Sequence, residues 1–246
     1  MYKRQVGLFG NVSFSGAVNL KVNGSLNVAT TEAITRDPVT GYVNAPQQGG
    51  ILSADAPVTL SASYLSLGQA FAGPLVPGDP YASKVFGNLT ATPSPGSGSL
   101  ILSGSQIDVG NLCLEGISSA SMTTSSGGMI RGDGSLVMTG DLSLSAGVIS
   151  PANGTTFQVI AFPTDSSGSA GTLGSIKVSR SGTSALPWSA VGTLAFYSQS
   201  ITQGGELAAP YGSILLGRDA AAASVTDPIS RPVSYTHLTL PTIYSV

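Results

Sequence analysis

The sequence predicts an all-β fold, a right-handed parallel β-helix with projecting loops, and three observations lead there. First, one cassette keeps returning: Gly, a small polar residue, then an apolar–x–apolar strand, as in Gly98-Ser99-Leu100-Ile101-Leu102 and Gly134-Ser135-Leu136-Val137-Met138. Self-similarity on this scale means that one small unit stacks on copies of itself. Second, the starts at Gly134, Gly174, Gly192 and Gly212 lie 40, 18 and 20 residues apart, a turn of about 20 residues with one start skipped. Third, charged residues make up only 9% of the 246, against roughly 25% in soluble globular domains. Gly, Ser, Thr and Ala fill the gap. Small polar residues suit a repetitive β surface, whereas an amphipathic helical protein would carry a charged outer face. Regular Val, Ile, Leu and Phe with low net charge argue against disorder.

The elements follow in order. Period-2 alternation runs through Val12/Phe14, Val18/Leu20/Val22 and the cassette Gly24-Ser25-Leu26-Asn27-Val28, the signature of short strands bounded by turn residues. Residues 30–50 carry Asp37-Pro38, Gly41, Pro46 and Gly49-Gly50 and read as a loop. Alternation resumes at Val58/Leu60. Residues 68–98 carry Pro74, Pro77, Pro80, Pro93 and Pro95; proline cannot donate to a central ladder, so this is a second projecting loop. Strands then crowd together: Leu112/Leu114, Gly140-Asp141-Leu142-Ser143-Leu144, Gly174-Ser175-Ile176-Lys177-Val178, Gly192-Thr193-Leu194-Ala195-Phe196 and Gly212-Ser213-Ile214-Leu215-Leu216. Residues 217–231 read as a linker or the start of another irregular region. The nearest helix candidate, Ala220 to Ala223, stops at Val225-Thr226 and Asp227-Pro228. A sandwich would need many tight hairpins, and Asn153-Gly154 and Asp133-Gly134 offer only two. Some ten turns stacked ~4.8 Å apart would make a rod roughly 50 Å long.

Both termini read as translated adapter DNA. Met1-Tyr2-Lys3-Arg4-Gln5 can be encoded by GTG TAT AAG AGA CAG, with GTG read as a start codon, and Val233-Ser234-Tyr235-Thr236-His237 can be encoded by GTC TCT TAT ACA CAT. With a preceding CCT for Pro232, the second string contains the reverse complement of the first. Residues 1–5 and 232–246 are therefore set aside, leaving 6–231 as the shaft segment, an internal piece of a longer protein. The only histidine, His237, lies in the excluded tail, and removing Lys3 and Arg4 leaves 8 of the 10 basic residues against 12 acidic ones, a formal charge near −4.

This composition bears on function. Basic residues are few and scattered, unlike the clustered positive surface that phosphate recognition needs, so no nucleic-acid partner is expected. No apolar run reaches the ~20 residues of a membrane-spanning helix. The single cysteine, Cys113 in Asn111-Leu112-Cys113-Leu114, reads as a small apolar packing residue whose facing the alternation leaves open. Without histidine, Ser-His-Asp and Cys-His arrangements and histidine metal sites are excluded from the segment. Glycosidase chemistry needs two acids held ~5–9.5 Å apart; Asp108 and Glu115 could meet on adjacent strands, but a solvated or turn role suits them better. Dense Asp/Asn spacing for calcium is missing. No catalytic residue, metal site or cofactor is expected. Arg131-Gly132-Asp133 spells an integrin-type attachment tripeptide, yet Gly132-Asp133-Gly134 also reads as a plain turn before the next strand. Trp188 after Pro187 reads as a local loop anchor rather than a sugar platform, and Phe196, Tyr197 and Tyr211 as packing or face residues.

The runs Gly140-Asp141-Leu142-Ser143-Leu144-Ser145-Ala146-Gly147 and Ile201-Thr202-Gln203-Gly204-Gly205-Glu206-Leu207-Ala208-Ala209-Pro210-Tyr211-Gly212 resemble the filamentous haemagglutinin-like exoproteins. The likeness is clearest from about Gly98 to Gly217 and weaker before Gly50. It implies a very large bacterial surface or secreted protein, exported by two-partner secretion through an outer-membrane β-barrel transporter. Its β-helical shaft would serve adhesion to host or neighbouring cells, with glycans among the possible contacts. Nothing in the segment matches the family's N-terminal secretion domain. The rival from another class is a carbohydrate-active β-helix enzyme such as a polysaccharide lyase, which would cluster acids and a basic residue on one face. An autotransporter passenger would share the shaft.

Overall fold

The computed structural model describes residues 5–30, 38–40, 50–68, 93–162, 174–185, 187 and 190–217, and the backbone of 234–238. Among these residues there is no helix. The strands are β1 (Gln5–Phe9), β2 (Val12–Phe14), β3 (Val18–Thr30), β4 (Ile51–Ala54), β5 (Pro57–Leu67), β6 (Gly98–Val109), β7 (Leu112–Glu115), β8 (Ile117–Gly132), β9 (Gly134–Thr139), β10 (Asp141–Ala146), β11 (Val148–Pro151), β12 (Thr156–Phe162), β13 (Ser175–Arg180), β14 (Thr193–Tyr197), β15 (Ser200–Gly204), β16 (Ser213–Leu216) and β17 (Ser234–Leu238). They form two sheets. The first runs β1-β3-β5-β6-β8-β10-β13-β15-β17, with β11 also on β8, and the second runs β16-β14-β12-β9-β7-β4-β2. Every pairing between these strands is parallel.

The register carries the repeat seen in the cassettes. Ser25 pairs with Gln5 and Ser119 with Ser99, steps of 20 residues, and Asp141 pairs with Ser119, a step of 22. Steps of 40 from Val18 to Val58 and 42 from Pro57 to Ser99 coincide with the two stretches read as loops. Those stretches lie largely outside the described residues. What is described is their margins: Gly50 N–H donates to the Ala29 carbonyl at 2.7 Å, and β3, β5 and β6 pair directly across them. Pro38–Thr40 form a turn with Val39 exposed. Trp188 and Ala220 to Ala223, with residues 218–231, also lie outside the described residues. The backbone of β17, inside the stretch read as adapter, extends the first sheet with its register interrupted between Ile201 and Thr202. An open strand edge accepts any extended peptide, so this pairing does not bear on the tail's origin.

The long strands of the first sheet bend. Register shifts at Val22/Ser25 and Gly104/Gln106 divide β3, β5, β6 and β8 into two segments. After β8 the two segments become separate strands, β10 over Ser119–Thr123 and β11 over Met129–Gly132. Inside, like stacks on like: Leu60, Leu102, Met122, Leu144 and Val178 form one column, and Leu26, Leu65, Ile107, Ile130 and Ile149 another. In the second sheet Leu112, Leu136, Val159 and Phe196 do the same. These side chains are buried, and their period-2 alternation with Ser and Thr is what commits each run to a strand. Parallel in-register pairing places identical positions next to each other, so each aliphatic residue meets partners of similar shape above and below. Gly132 is fitted to one of them: a Cβ there would fall into the Phe157 ring.

Candidate functional site

Two features face outward from the first sheet. One is a hydroxyl surface. Lys21, Ser61, Ser103, Thr123, Ser145 and Ser179 form one outward column. Asn19, Thr59, Ile101, Ser121, Ser143 and Lys177 form the next. Rungs ~4.8 Å apart repeat the same donors and acceptors along the axis. Where the strands bend, the surface dips into an open groove of about 500 Å³, walled by Lys21, Asn23, Ser61, Ser63, Ser103 and Ser105 and continuing to Ser125. Ser61 and Ser103 share a hydrogen bond of 2.7 Å across rungs. Hydroxyls in this setting offer hydrogen bonds to a polar partner, and Lys21 adds a cationic donor to the same wall.

The other feature is a polar clasp beyond the bend. The carboxylate of Asp108 in β6, 3% exposed, accepts from Tyr64 Oη at 2.8 Å and from Gln106 Nε2 at 2.9 Å. Arg131 in β8 completes it in a two-pronged contact, Nε at 3.2 Å and Nη2 at 2.5 Å. Burial, reinforced by the neighbouring carboxylate, pushes the Tyr64 phenol up to about 12. The hydrogen bond to Asp108 raises the Arg131 guanidinium above its ordinary value. The clasp ties three successive rungs, β5, β6 and β8, through one carboxylate. Both oxygens are engaged by donors, so the group is a fastener rather than an acid or base.

Several expectations change here. Asp108 has neither a solvated nor a turn role; it is buried in the clasp. Glu115 ends β7 in the second sheet, paired beside Ser53, and takes no part in it. The turn read at Gly132-Asp133-Gly134 is where the chain bends, with β8 ending at Gly132 and β9 beginning at Gly134, whose φ is 108°; Arg131-Gly132 itself is strand. Both residues belong to β8, paired with Ser150 and Pro151, and Gly132 is glycine because the Phe157 ring lies against it. The strand ends after Gly132, and Asp133 N–H donates to the Val109 carbonyl at 2.9 Å. Arg131 is held against Asp108 instead of projecting at a turn.

Cys113 is a packing residue, as its setting in the sequence suggested, and its facing is now fixed. It joins Val137 and Ile160, with Ile51 and Tyr197 against them, in a small apolar cluster separate from the main core. Burial, helped by the charge of Glu115, pushes its thiol up to about 12, which keeps it unreactive at neutral pH. Phe196 is fully buried and Tyr211 is exposed. Among the described residues no group of three or more His, Cys, Asp and Glu could hold a metal ion, and no helix is long and apolar enough to cross a membrane. No family model matches the chain, and neither a curated protein nor a solved structure resembles it.

Proposed function

We propose that this chain is a length of shaft from a large, secreted or surface-exposed bacterial adhesin of the filamentous haemagglutinin-like kind. In this reading it is a right-handed parallel β-helix whose work is mechanical rather than catalytic. The observation that carries it is the stacking of parallel rungs, several of them at steps of 20 to 22 residues, whose inward positions line up from strand to strand as buried apolar columns. The right hand follows from the strong preference of parallel crossovers for it.

Such a rod holds its loops and hydroxyl face away from the cell, toward host or neighbouring surfaces, glycans among them. Export through an outer-membrane transporter and an extracellular location come with the family reading. A lyase-like enzyme would need several acids beside a base on an accessible face; Asp108, the acid beside Arg131, is buried, and its carboxylate is taken up by Tyr64, Gln106 and Arg131. Long-read sequencing across the source locus tests the proposal. It predicts a frame running on through similar repeats beside an outer-membrane transporter gene. A frame closing near residues 6 and 231, or running into an acid-rich catalytic turn, would overturn it.

A further inference from the structure

We propose that the corner leading into β12, β14 and β16 binds a neutral sugar ring, stacked on Tyr211 and Val191 and held by Asn153. Gly154, Val191 and Tyr211 stand at one position on three successive rungs. Each lies two residues before the paired set Thr156, Thr193 and Ser213. One hydrogen bond repeats between them: Gly154 N–H donates to the Ala190 carbonyl at 2.9 Å, and Val191 N–H to the Pro210 carbonyl at 3.0 Å. The backbone there is left-handed, with φ of 68°, 60° and 55°. Glycine is at ease in that region; a residue with a Cβ is not, and a β-branched one is an outlier. The first of the three rungs carries the glycine that the corner asks for, whereas the next two carry Val and Tyr. Strain of this kind points to a role for the side chain beyond the turn itself.

That role is not packing. Val191 is 70% exposed although rungs flank it on both sides, so its exposure belongs to the corner and not to an end of the stack. Tyr211, in the same position, is 87% exposed. Beside them the exposed Asn153 accepts at Oδ1 from Ala190 N–H at 3.0 Å, which leaves its Nδ2 donors without a partner among the described residues. No residue of 151–156, 190–193 or 209–213 is charged. An exposed aromatic face takes the C–H side of a sugar ring, and the amide takes a sugar hydroxyl. With no charge at the corner, a neutral sugar is favoured over an anionic one. A protein partner would bury about 800 Å² on each side, far more than these side chains offer. The inference deepens the adhesin reading and rests on it for a cell-surface glycan as the source of the sugar.

Saturation-transfer difference NMR on the full 246-residue chain tests this, with methyl β-galactoside, methyl β-glucoside and methyl α-mannoside as probes. Transfer to the ring protons of at least one is expected, lost in Tyr211→Asn and kept in Tyr211→Trp. Asparagine tolerates the left-handed region, so Tyr211→Asn and Val191→Asn should hold or raise the urea midpoint while the sugar signal falls. Transfer to none of the three probes, or transfer unchanged in Tyr211→Asn, overturns the proposal. So does a lower urea midpoint in both asparagine variants, which would make Val191 and Tyr211 packing residues. Neither outcome bears on the shaft reading, which the locus decides.

Discussion

Replacing Arg131 with alanine should cost far more than removal of an ordinary surface cation. The substitution leaves the Asp108 carboxylate, 3% exposed, with Tyr64 and Gln106 but no counter-charge. Removing one partner of a fully buried pair costs ~3–5 kcal/mol, because the other charge stays buried and uncompensated. The Arg131 side chain is 39% exposed, and solvent on that side lowers the figure to about 2–3 kcal/mol. For a chain of this size that is a fall in Tm of roughly 4–12 °C. Asp108→Asn in the Arg131→Ala background removes the stranded charge and should restore part of the loss, with a coupling of about 1 kcal/mol or more. Urea and thermal unfolding of the two single variants and the double variant form the cycle. If Arg131→Ala unfolds within ~0.5 kcal/mol of the parent, as an unimportant surface pair would, the clasp is not a fastener.

The other predictions concern packing, pH and attachment. Gly132→Ala forces the Phe157 ring from its place and should destabilise by ~1–3 kcal/mol, with Phe157→Leu in the same chain recovering part of it; unchanged urea midpoints would contradict that packing. Leu102→Ala, in the middle of a column and fully buried, should cost ~2–5 kcal/mol, read by the same titration. Alkaline pH should destabilise the fold. The Cys113 thiol ionises at 9.0 when unfolded and about 12 when folded, and the Tyr64 phenol at 10.0 and about 12. The unfolded chain therefore loses its protons first, and the stability these groups contribute is full below pH 9 and lost as pH rises to about 12. Unfolding measured against pH should show Cys113→Ala delaying the onset to about 10, where Tyr64 begins to titrate; an unchanged onset would refute the assignment. Asp133→Glu should leave cell attachment to the immobilised chain unaltered, because Arg131 is held in the clasp; selective loss of attachment would restore the tripeptide as a recognition motif.

The repeat was legible because glycine punctuates it: Gly98, Gly134, Gly140, Gly174, Gly192 and Gly212 stand at or beside strand starts, and alternation between them shows which side chains turn inward. Counting from glycines loses phase where a strand bends. The clasp lay beyond such a bend, since the register shift between Gly104 and Gln106 sets Asp108 against Arg131 at a step of 23 residues. A step near the repeat length, joining a lone acid to a lone arginine, was the available signal. The second apolar cluster left a different trace. Leu112-Cys113-Leu114 and Leu136-Val137-Met138 are apolar without a break, the mark of a strand buried on both faces, and Cys113 and Val137 are the members that turn away from the main core. The bend at Gly132-Asp133-Gly134 was legible from its glycines and aspartate, whereas nothing in the sequence showed that Gly132 also makes room for the Phe157 ring.

Rung order is the central claim, and a distance along one outward column tests it most directly. Asn19, Thr59, Ile101, Ser121, Ser143 and Lys177 succeed one another by direct pairing, so five steps separate the first from the last. Nitroxides placed by Asn19→Cys and Lys177→Cys, with Cys113 buried and unlabelled, should lie about 24 Å apart by pulsed electron resonance, at ~4.8 Å per rung. The pair Asn19→Cys and Ile101→Cys, two steps apart, should fall near 10 Å on the same spacing. Distances rising in that order are what stacked parallel rungs predict. A shorter separation for Asn19 and Lys177 than for Asn19 and Ile101 would contradict it.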